Sequence, residues 1–194
     1  MLICQGDFLS KARIIINIEN VVSSASLGQR IDLNSLVRTF TNVEYRPEQF
    51  PGLVFRLKEP KTATLIFSSG KMVCTGAKSE EQSRQAVANV VKKLKTSRII
   101  SVDKPDIKIQ NIVASASLGG TIDLEKSAFL LGRTMYEPEQ FPGLVYRMED
   151  PNVVLLIFAS GRLVCAGAKK ESEVFRAVNK LREQLESDKV IFYE

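Results

Sequence analysis

The sequence predicts an α+β fold that is built twice, with one antiparallel sheet and the helices on one of its faces. The main observation is an internal repeat: YRPEQFPGLVFR at 45–56 returns as YEPEQFPGLVYR at 136–147. Phe50 therefore corresponds to Phe141, and the same shift holds without a gap over a long stretch. A period this long is a supersecondary unit or small domain, not a solenoid repeat. Two units predict a pseudo-twofold molecule, and a partner that is itself roughly twofold, such as duplex DNA or a two-lobed ligand.

Each copy opens with a predicted strand and a short helix. In the first copy the strand covers 14–22. Side chains alternate along a strand, which predicts one shared face for Ile16, Ile18, Asn20 and Val22. The helix N-caps are expected at Asp32 and Asp123, whose carboxylates can accept from free backbone N–H groups. Helical spacing of apolar residues is found at Leu33, Leu36, Val37 and Phe40, and again at Leu124, Ala128 and Leu131.

The middle of each copy consists of strands and turns, and a long helix closes it. The predicted segments are a turn at 46–48, a strand that ends at Leu57, a strand at 62–67, a tight hairpin at 68–71 and a strand at 72–76. Ser79 is the expected N-cap of the long helix, which runs to about Lys95. Its predicted apolar stripe is Ala86, Val87, Val90, Val91 and Leu94, matched by Val174, Ala177, Val178, Leu181 and Leu185.

We expect two repeats, at 1–97 and 98–194, that share one continuous sheet. The joint between them, 103–106, is too short for independent domains. The first 97 residues carry 14 Lys and Arg against 8 Asp and Glu, whereas the remainder carries 13 against 14. This charge asymmetry is expected either to orient the molecule on a partner or to have no role on solvated surfaces.

Composition excludes several classes of protein. The net charge of +5 favours a polyanionic partner. No apolar run approaches the roughly 20 residues that span a bilayer, and the first residues do not have the pattern of a secretion signal. Three cysteines argue against a disulfide framework, and Cys74 and Cys165 are expected to be buried thiols. Since the chain has no His and no G-x-S-x-G or Walker motif, we expect neither an enzyme nor a metal site.

The sheet is predicted to have two apolar faces. Leu65 and Phe67 point one way, and Thr64 and Ile66 point the other. If the helices cover one face, the other presents an apolar surface of the kind that marks binding sites. The pattern alone leaves two alternatives open: a face that binds a ligand, as in an apolar-ligand carrier, and a face covered by a second layer, as in a dimeric scaffold.

At Phe50-Pro51-Gly52, at 65–78 (LIFSSGKMVCTGAK) and at their second copies, the chain resembles the TATA-box-binding protein family. The resemblance covers nearly the whole chain. It implies a pseudo-twofold saddle, in which a curved ten-stranded antiparallel sheet carries four helices on its convex face. The lack of a long N-terminal extension makes the chain similar to the archaeal members. The implied function is that of a general transcription initiation factor, without a cofactor, that binds and bends A·T-rich DNA through the minor groove.

The resemblance also assigns residues to this function. The implied wedges between base pairs are Phe50, Phe67, Phe141 and Phe158. The implied base contacts are Asn20, Val22, Leu65, Val73 and Thr75, with Asn111, Val113, Leu156, Val164 and Ala166 opposite. The implied phosphate contacts are Arg56, Lys61, Ser69, Lys71 and Lys78, with Arg147, Ser160, Arg162 and Lys169 opposite. Because Thr75 corresponds to Ala166, base readout is not expected to be strictly symmetric.

In this family transcription factor B docks on the second-half turn, which implies Glu137, Glu139 and Gln140 as contacts. Glu137 corresponds to Arg46, and a basic partner surface would prefer the acidic turn. The alternative is that both glutamates are exposed without a partner. The resemblance further implies assembly with RNA polymerase and no membrane. A location in the cytoplasm with the nucleoid follows for an archaeal protein, and the nucleus for a eukaryotic one.

Overall fold

The structure is a computed structural model that describes residues 13–101 and 104–193. The first half consists of β1 (Ile15–Ser26), α1 (Leu33–Thr39), β2 (Val43–Glu44), β3 (Leu53–Leu57), β4 (Thr62–Ile66), β5 (Lys71–Ala77) and α2 (Glu80–Thr96). The second half consists of β6 (Asp106–Ser117), β7 (Thr121–Ile122), α3 (Leu124–Leu130), β8 (Thr134–Met135), β9 (Gly143–Met148), β10 (Val153–Phe158), β11 (Arg162–Ala168), α4 (Glu171–Ser187) and β12 (Ile191–Phe192). Residues 1–12, which the secretion-signal prediction concerned, and Asp103 of the predicted joint lie outside the described residues.

Ten strands form one antiparallel sheet in the order β2-β3-β4-β5-β1-β6-β11-β10-β9-β8. The order reads the same from both edges once equivalent strands are exchanged, and β1 and β6 pair along the centre. The sheet is curved, with the four helices on its convex side, so the predicted duplicated saddle is confirmed. The structure adds a feature that the sequence did not predict, a separate two-stranded sheet in which β12 pairs with β7.

The core lies between the sheet and the long helices α2 and α4. All ten residues of the two predicted apolar stripes are buried, which confirms the helical periodicity. Between α2 and the central strand β1, the hydroxyls of Ser23 and Ser83 form a buried hydrogen bond of 2.7 Å. This pairing satisfies both hydroxyls, which would otherwise be costly to bury.

The predicted shared face of β1 is wrong. Ile16 and Ile18 pack toward the core, whereas Asn20 and Val22 lie on the face of the sheet opposite the helices. The cause is a register shift in the pairing with β6 between Ile18 and Asn20, which leaves Glu19 without a partner residue. Such a β-bulge adds one residue to a strand and reverses the alternation beyond it. An alternating pattern cannot show where a bulge occurs.

The short helices begin at their predicted caps. Asp32 accepts from the N–H of Asn34 at 3.0 Å, and Asp123 accepts from that of Lys126 at 3.0 Å. Leu33 and Leu36 are buried, but Val37 is 47% exposed, so the apolar stripe of α1 is narrower than predicted. None of the helices in the described part of the chain is long and apolar enough to cross a membrane.

Candidate functional site

The sheet face opposite the helices carries a row of half-buried apolar side chains. Leu65 of β4 lies directly opposite Val73 of β5, and Leu156 of β10 lies opposite Val164 of β11. Their strand neighbours, such as Ile66, are fully buried on the helix side. The predicted alternation on these strands is therefore correct, and both halves present the same apolar surface. We call this surface the open face.

A pair of phenylalanines lies toward each end of the open face. The ring centroids of Phe50 and Phe67 are 5.9 Å apart, and those of Phe141 and Phe158 are 6.0 Å apart. Both pairs meet edge to face, an arrangement that aromatic rings prefer. Phe50 is 41% exposed and Phe141 is 40% exposed, although both are large apolar residues. The structure thus brings all four predicted wedge residues together as two matching pairs.

A glycine beside each pair makes this packing possible. A Cβ at Gly52 would lie 2.6 Å from the Phe50 ring, and one at Gly143 would lie 2.5 Å from the Phe141 ring. These distances are shorter than van der Waals contact allows, so any other residue would displace the ring. The P-G dipeptide in each repeat therefore has a packing reason in addition to its role in the turn.

Asn20 and Asn111 lie at the centre of the open face with their amide oxygens already engaged. Asn20 Oδ1 accepts from the N–H of Gly76 at 2.7 Å, and Asn111 Oδ1 accepts from that of Gly167 at 2.8 Å. A backbone N–H can only donate, so the oxygen must face it and the NH₂ group must face away. The two glycines adopt positive φ, 97° and 100°, a conformation that other residues rarely adopt. The backbone thereby fixes two amide donors.

The two amides differ in one respect that the sequence indicated. The Thr75 hydroxyl also donates to Asn20 Oδ1, at 3.2 Å. Ala166 stands at the equivalent position of the second half and has no side-chain donor. Asn20 is consequently held by two hydrogen bonds and Asn111 by one.

Sequence reasoning missed four polar residues between the two halves. Ser115 donates to Glu19 at 2.6 Å, and the equivalent pair Gln110 and Ser24 is joined at 2.7 Å. The hydrogen bond from Ser115, and then that from Lys78, lower the pKa of the Glu19 carboxyl. The repeat could have pointed to these residues, because Glu19 and Gln110 occupy equivalent positions beside the two asparagines. The bulge places Glu19 on the open face.

The predicted phosphate contacts are all exposed. Arg56 shares its side of the sheet with Ala63 and Thr75, and Arg147 shares its side with Val154. Two of these cations already have carboxylate partners. Arg56 lies 3.8 Å from Glu44, and Lys78 lies 3.1 Å from Glu19. Exposed ion pairs of this kind are weak, so both cations remain available to another anion.

Two hollows on the open face adjoin the phenylalanine pairs. One, of about 670 Å³, is lined by Phe67, Val73 and Lys71. The other, of about 470 Å³, is lined by their equivalents Phe158, Val164 and Arg162. Each hollow therefore combines an aromatic wall with a cation at its margin. Ile15, Asn17, Asp106 and Lys108 also line these hollows and were not among the predicted site residues.

The two turns that precede the phenylalanine pairs share a backbone and differ in charge. In the first, the N–H groups of Gln49 and Phe50 donate to Arg46 O; in the second, those of Gln140 and Phe141 donate to Glu137 O. Arg46 contacts Glu44 at 3.4 Å. In the second half an exposed methionine, Met135, takes the position of Glu44, and Glu137, Glu139 and Gln140 are all exposed. The second turn therefore presents acidic side chains beside an exposed apolar one, whereas the basic side chain of the first turn is paired with a carboxylate.

Both cysteines of the described residues are buried thiols, as predicted. Burial raises the pKa of Cys165 to about 11 and also raises the pKa of Cys74. Within residues 13–101 and 104–193, no three His, Cys, Asp or Glu side chains are grouped as metal ligands would be.

Comparison with known proteins gives a consistent result. The family model described as Transcription factor TFIID (or TATA-binding protein, TBP) matches the chain twice, at residues 15–97 and 106–187. A TATA-box-binding protein of Sulfurisphaera tokodaii is 56% identical over 173 residues, which is 89% of this chain and 87% of the relative. One from Pyrodictium occultum is 55% identical over 90% of this chain and 88% of the relative. The solved structure of Methanococcus jannaschii TBP superposes with a TM-score of 0.80 at 50% identity, covering 89% of this chain and 98% of that one.

Proposed function

Because the chain belongs to the TATA-binding protein family, we propose that it binds A·T-rich promoter DNA in the minor groove with its open face. The proposed role is that of a general transcription initiation factor, and the functional unit is the pair of repeats, 1–97 and 98–194. The observation that supports it best is the open face itself, with aromatic pairs toward both ends and two amide donors at the centre. The family assignment agrees with a protein that is not an enzyme.

The four phenylalanines act as wedges in this proposal. Minor-groove binding with apolar wedges that kink the duplex is a mode for which this family is a known example. A half-exposed ring that packs edge to face against a second ring can enter a base step without reorganising the protein. The ring then replaces part of the lost base stacking. Because one phenylalanine pair lies in each half, we expect two kinks in each bound DNA duplex.

The asparagines read the base pairs. The minor-groove edge of an A·T pair presents only acceptors, adenine N3 and thymine O2, whereas guanine adds an amino donor. Because the Oδ1 atoms of Asn20 and Asn111 are engaged by glycine N–H groups, each side chain has its NH₂ group left to donate, which matches acceptors and not donors. Around them lie Val22, Val113 and the apolar row, which give a guanine amino group no partner. Selection of A·T pairs follows from both effects.

The basic margin supplies affinity without sequence information. Exposed cations and hydroxyls beside the open face suit phosphate groups, and such contacts position a protein on a duplex. Each neutralised phosphate releases counterions, so affinity should fall steeply as salt rises. An apolar-ligand carrier or a dimeric scaffold would show no such dependence. The names of the curated relatives give that alternative no support.

For the partner, we propose that transcription factor B docks on the acidic second-half turn and that RNA polymerase is recruited to this complex. Glu137 and Glu139 give this turn the charge that a basic surface would recognise, and Met135 adds an apolar contact, since it is 55% exposed. The first-half turn offers neither. A docking site on one half only would give a pseudo-twofold complex a direction. The curated relatives are archaeal, so we place the protein with the archaeal nucleoid.

The test is binding to a short A·T-rich duplex labelled with a fluorophore at each end, measured against salt. We expect affinity to fall with salt, end-to-end transfer to report bending, and a G·C-rich duplex of equal length to bind more weakly. A salt-independent affinity, or equal binding of both duplexes, would overturn the proposal. Better competition by single-stranded DNA than by duplex would indicate single-strand binding instead.

A further inference from the structure

The hairpin at 159–161, which joins β10 to β11, carries one predicted phosphate contact, Ser160, and leads directly into another, Arg162. We call it the second-half hairpin. Its backbone is held by the segment that precedes α3, because the N–H groups of Ile122 and Leu118 donate to carbonyl groups of the hairpin at 2.8 and 2.9 Å. The place of the two phosphate contacts therefore depends on that segment.

The segment before α3 is in turn held by β12. In the β7–β12 pair Ile122 lies opposite Ile191, and both side chains are buried. Beside the pair, the N–H of Asp123 donates to Val190 O at 2.9 Å. A continuous set of backbone contacts thus leads from β12 to the second-half hairpin.

Tyr193 fastens β12 to α4. Its hydroxyl donates to Glu186 at 2.7 Å and accepts from Arg182 Nε at 3.2 Å. The guanidinium of Arg182 also lies 5.6 Å from the centre of the Tyr193 ring, which is within the range of a cation–π interaction. We propose that Tyr193 positions the second-half hairpin for DNA phosphate, acting through β12 and the segment before α3. This inference rests on the proposed DNA-binding function.

The first half supports its equivalent hairpin by different means. Gln29 takes the position of Gly120, and its side-chain oxygen accepts from the N–H of Ser101 at 3.2 Å and from the hydroxyl at 3.1 Å. In the second half, a Cβ at Gly120 would lie 2.6 Å from Phe192 O and 2.8 Å from the Tyr193 ring. The close approach of β12 therefore requires a glycine there, and a change at Tyr193 should affect the second half alone.

The position of the hairpin matters because of what surrounds it. Ser160 and Arg162 line the second-half hollow together with Phe158, a predicted wedge. A displaced hairpin would move both phosphate contacts relative to a duplex at this hollow. Hydrogen bonds weaken steeply as their geometry departs from the ideal, so a small displacement is sufficient to lose a contact.

The first test uses the protein without DNA. Tyr193→Ala should accelerate hydrogen exchange of the Ile122 N–H about fivefold, the factor that corresponds to one net hydrogen bond. The equivalent N–H of Ile31, which donates to Ser68 O at 2.9 Å, should be unchanged. Phe192→Ala is the matched control, since that ring is 52% exposed and only its backbone pairs with β7. It should alter the exchange of Ile122 by less than about twofold.

The second test is a double-mutant cycle in binding to the A·T-rich duplex. Arg162→Ala should reduce the slope of log affinity against log salt by about 0.9, the value for one lost phosphate contact. Tyr193→Ala should reduce the slope by about half of this amount in the wild-type background, and by nothing further beside Arg162→Ala. Beside Lys71→Ala, the first-half equivalent of Arg162→Ala, the effect of Tyr193→Ala should be undiminished. A general loss of stability would act equally in both backgrounds.

Three results would overturn the proposal. The first is unchanged exchange of the Ile122 N–H in Tyr193→Ala, and the second is an effect on the salt slope that is equal beside Arg162→Ala and Lys71→Ala. The third is faster exchange with an unchanged slope, which would mean that β12 supports the hairpin but places no phosphate contact. A wild-type affinity that does not fall with salt would instead refute the proposed function, and the exchange measurement, made without DNA, distinguishes the two failures.

Discussion

Glu80 and Glu171, equivalent residues of the two repeats, cap each other's helices. Glu171 Oε1 accepts from the N–H of Glu80 at 2.7 Å, and Glu80 Oε1 accepts from the N–H of Glu171 at 2.7 Å. Each residue is the first of its helix, α2 or α4, so each carboxylate satisfies a donor that the other helix cannot satisfy itself. The negative charges also lie where helix dipoles favour them. The exchange joins the halves on the helix side, and β1 and β6 join them through the sheet.

The first prediction follows from this exchange. Glu80→Ala and Glu171→Ala should each lower the free energy of unfolding by about 1 kcal/mol, the usual cost of losing a helix cap. Glu81→Ala is the matched control, because Glu81 is exposed in the same first turn of α2. Urea denaturation followed by circular dichroism measures the difference. Equal effects of Glu80→Ala and Glu81→Ala would show that the exchanged caps contribute nothing.

The repeat made much of this architecture predictable from sequence. Equivalent residues occur at equivalent places, so each assignment in one half could be checked against the other, and the buried stripes of α2 and α4 were identified residue by residue. What could not be predicted depends on geometry between segments. The bulge beside Asn20 follows from how β1 pairs with both neighbours, and the Glu80–Glu171 exchange follows from where two helices meet. Neither the bulge nor the exchange of caps can be derived from the periodicity of residues in the sequence.

The same distinction applies to the site. The phenylalanines were identified through a motif, and the structure adds that they form pairs. The asparagines were identified as base contacts through the resemblance, but the reason for their orientation lies in Gly76 and Gly167, which are distant in sequence. Glu19 was missed because its place on the open face depends on the bulge.

The second prediction concerns the wedges. Phe141→Ala or Phe158→Ala should leave the fold intact and reduce DNA bending, because the ring offsets an unstacking cost of a few kcal/mol per step. Neither variant should lengthen the lifetime of the protein–DNA complex. Phe129→Ala is the control, since Phe129 is 89% exposed on α3. Gly143→Ala should also reduce bending, because its Cβ would displace the Phe141 ring. Energy transfer across an end-labelled A·T-rich duplex measures the bend, and wild-type bending by both Phe variants would refute the wedges.

The third prediction separates base reading from structural support by the asparagines. Asn20→Ala with Asn111→Ala should weaken binding to an A·T-rich duplex by about 1–3 kcal/mol per lost contact, and binding to random duplex less. Asn111→Asp keeps an oxygen for the Gly167 N–H but replaces the donor by an acceptor. It should therefore lose A·T affinity while thermal stability is unchanged. Equal losses on both duplexes would show that the pair only supports the sheet.

The fourth prediction concerns the buried thiols. With a pKa of about 11, Cys165 should be almost entirely protonated at pH 8 and should react slowly with a disulfide reagent. In a Cys4→Ser variant, thiol titration should find the two remaining cysteines unreactive in the native protein and fully reactive in urea. Because burial raises both pKa values, the protonated thiols stabilise the fold below the ordinary pKa, and this contribution is lost as pH rises toward 11. Rapid labelling of the native protein would contradict this.

The last prediction concerns the direction in which a pseudo-twofold protein assembles. A symmetric saddle can sit on a duplex in two orientations, so a partner that prefers one half is needed to define a direction. The turns at Arg46 and Glu137 have the same backbone hydrogen bonds, so their difference lies in the side chains. Glu137→Arg with Glu139→Arg should abolish the ternary complex with transcription factor B and leave DNA binding unchanged or tighter.

The control for this charge reversal is Glu48→Arg, because Glu48 is the first-half equivalent of Glu139 and is also exposed. It makes the first turn more basic without altering the second, so the ternary complex should survive. Gel-shift titration of factor B against a fixed amount of protein–DNA complex measures both variants under one condition. If the ternary complex survives the charge reversal at 137 and 139, transcription factor B does not dock on the acidic turn. If Glu48→Arg abolishes the complex as well, the partner responds to total charge rather than to the second-half turn.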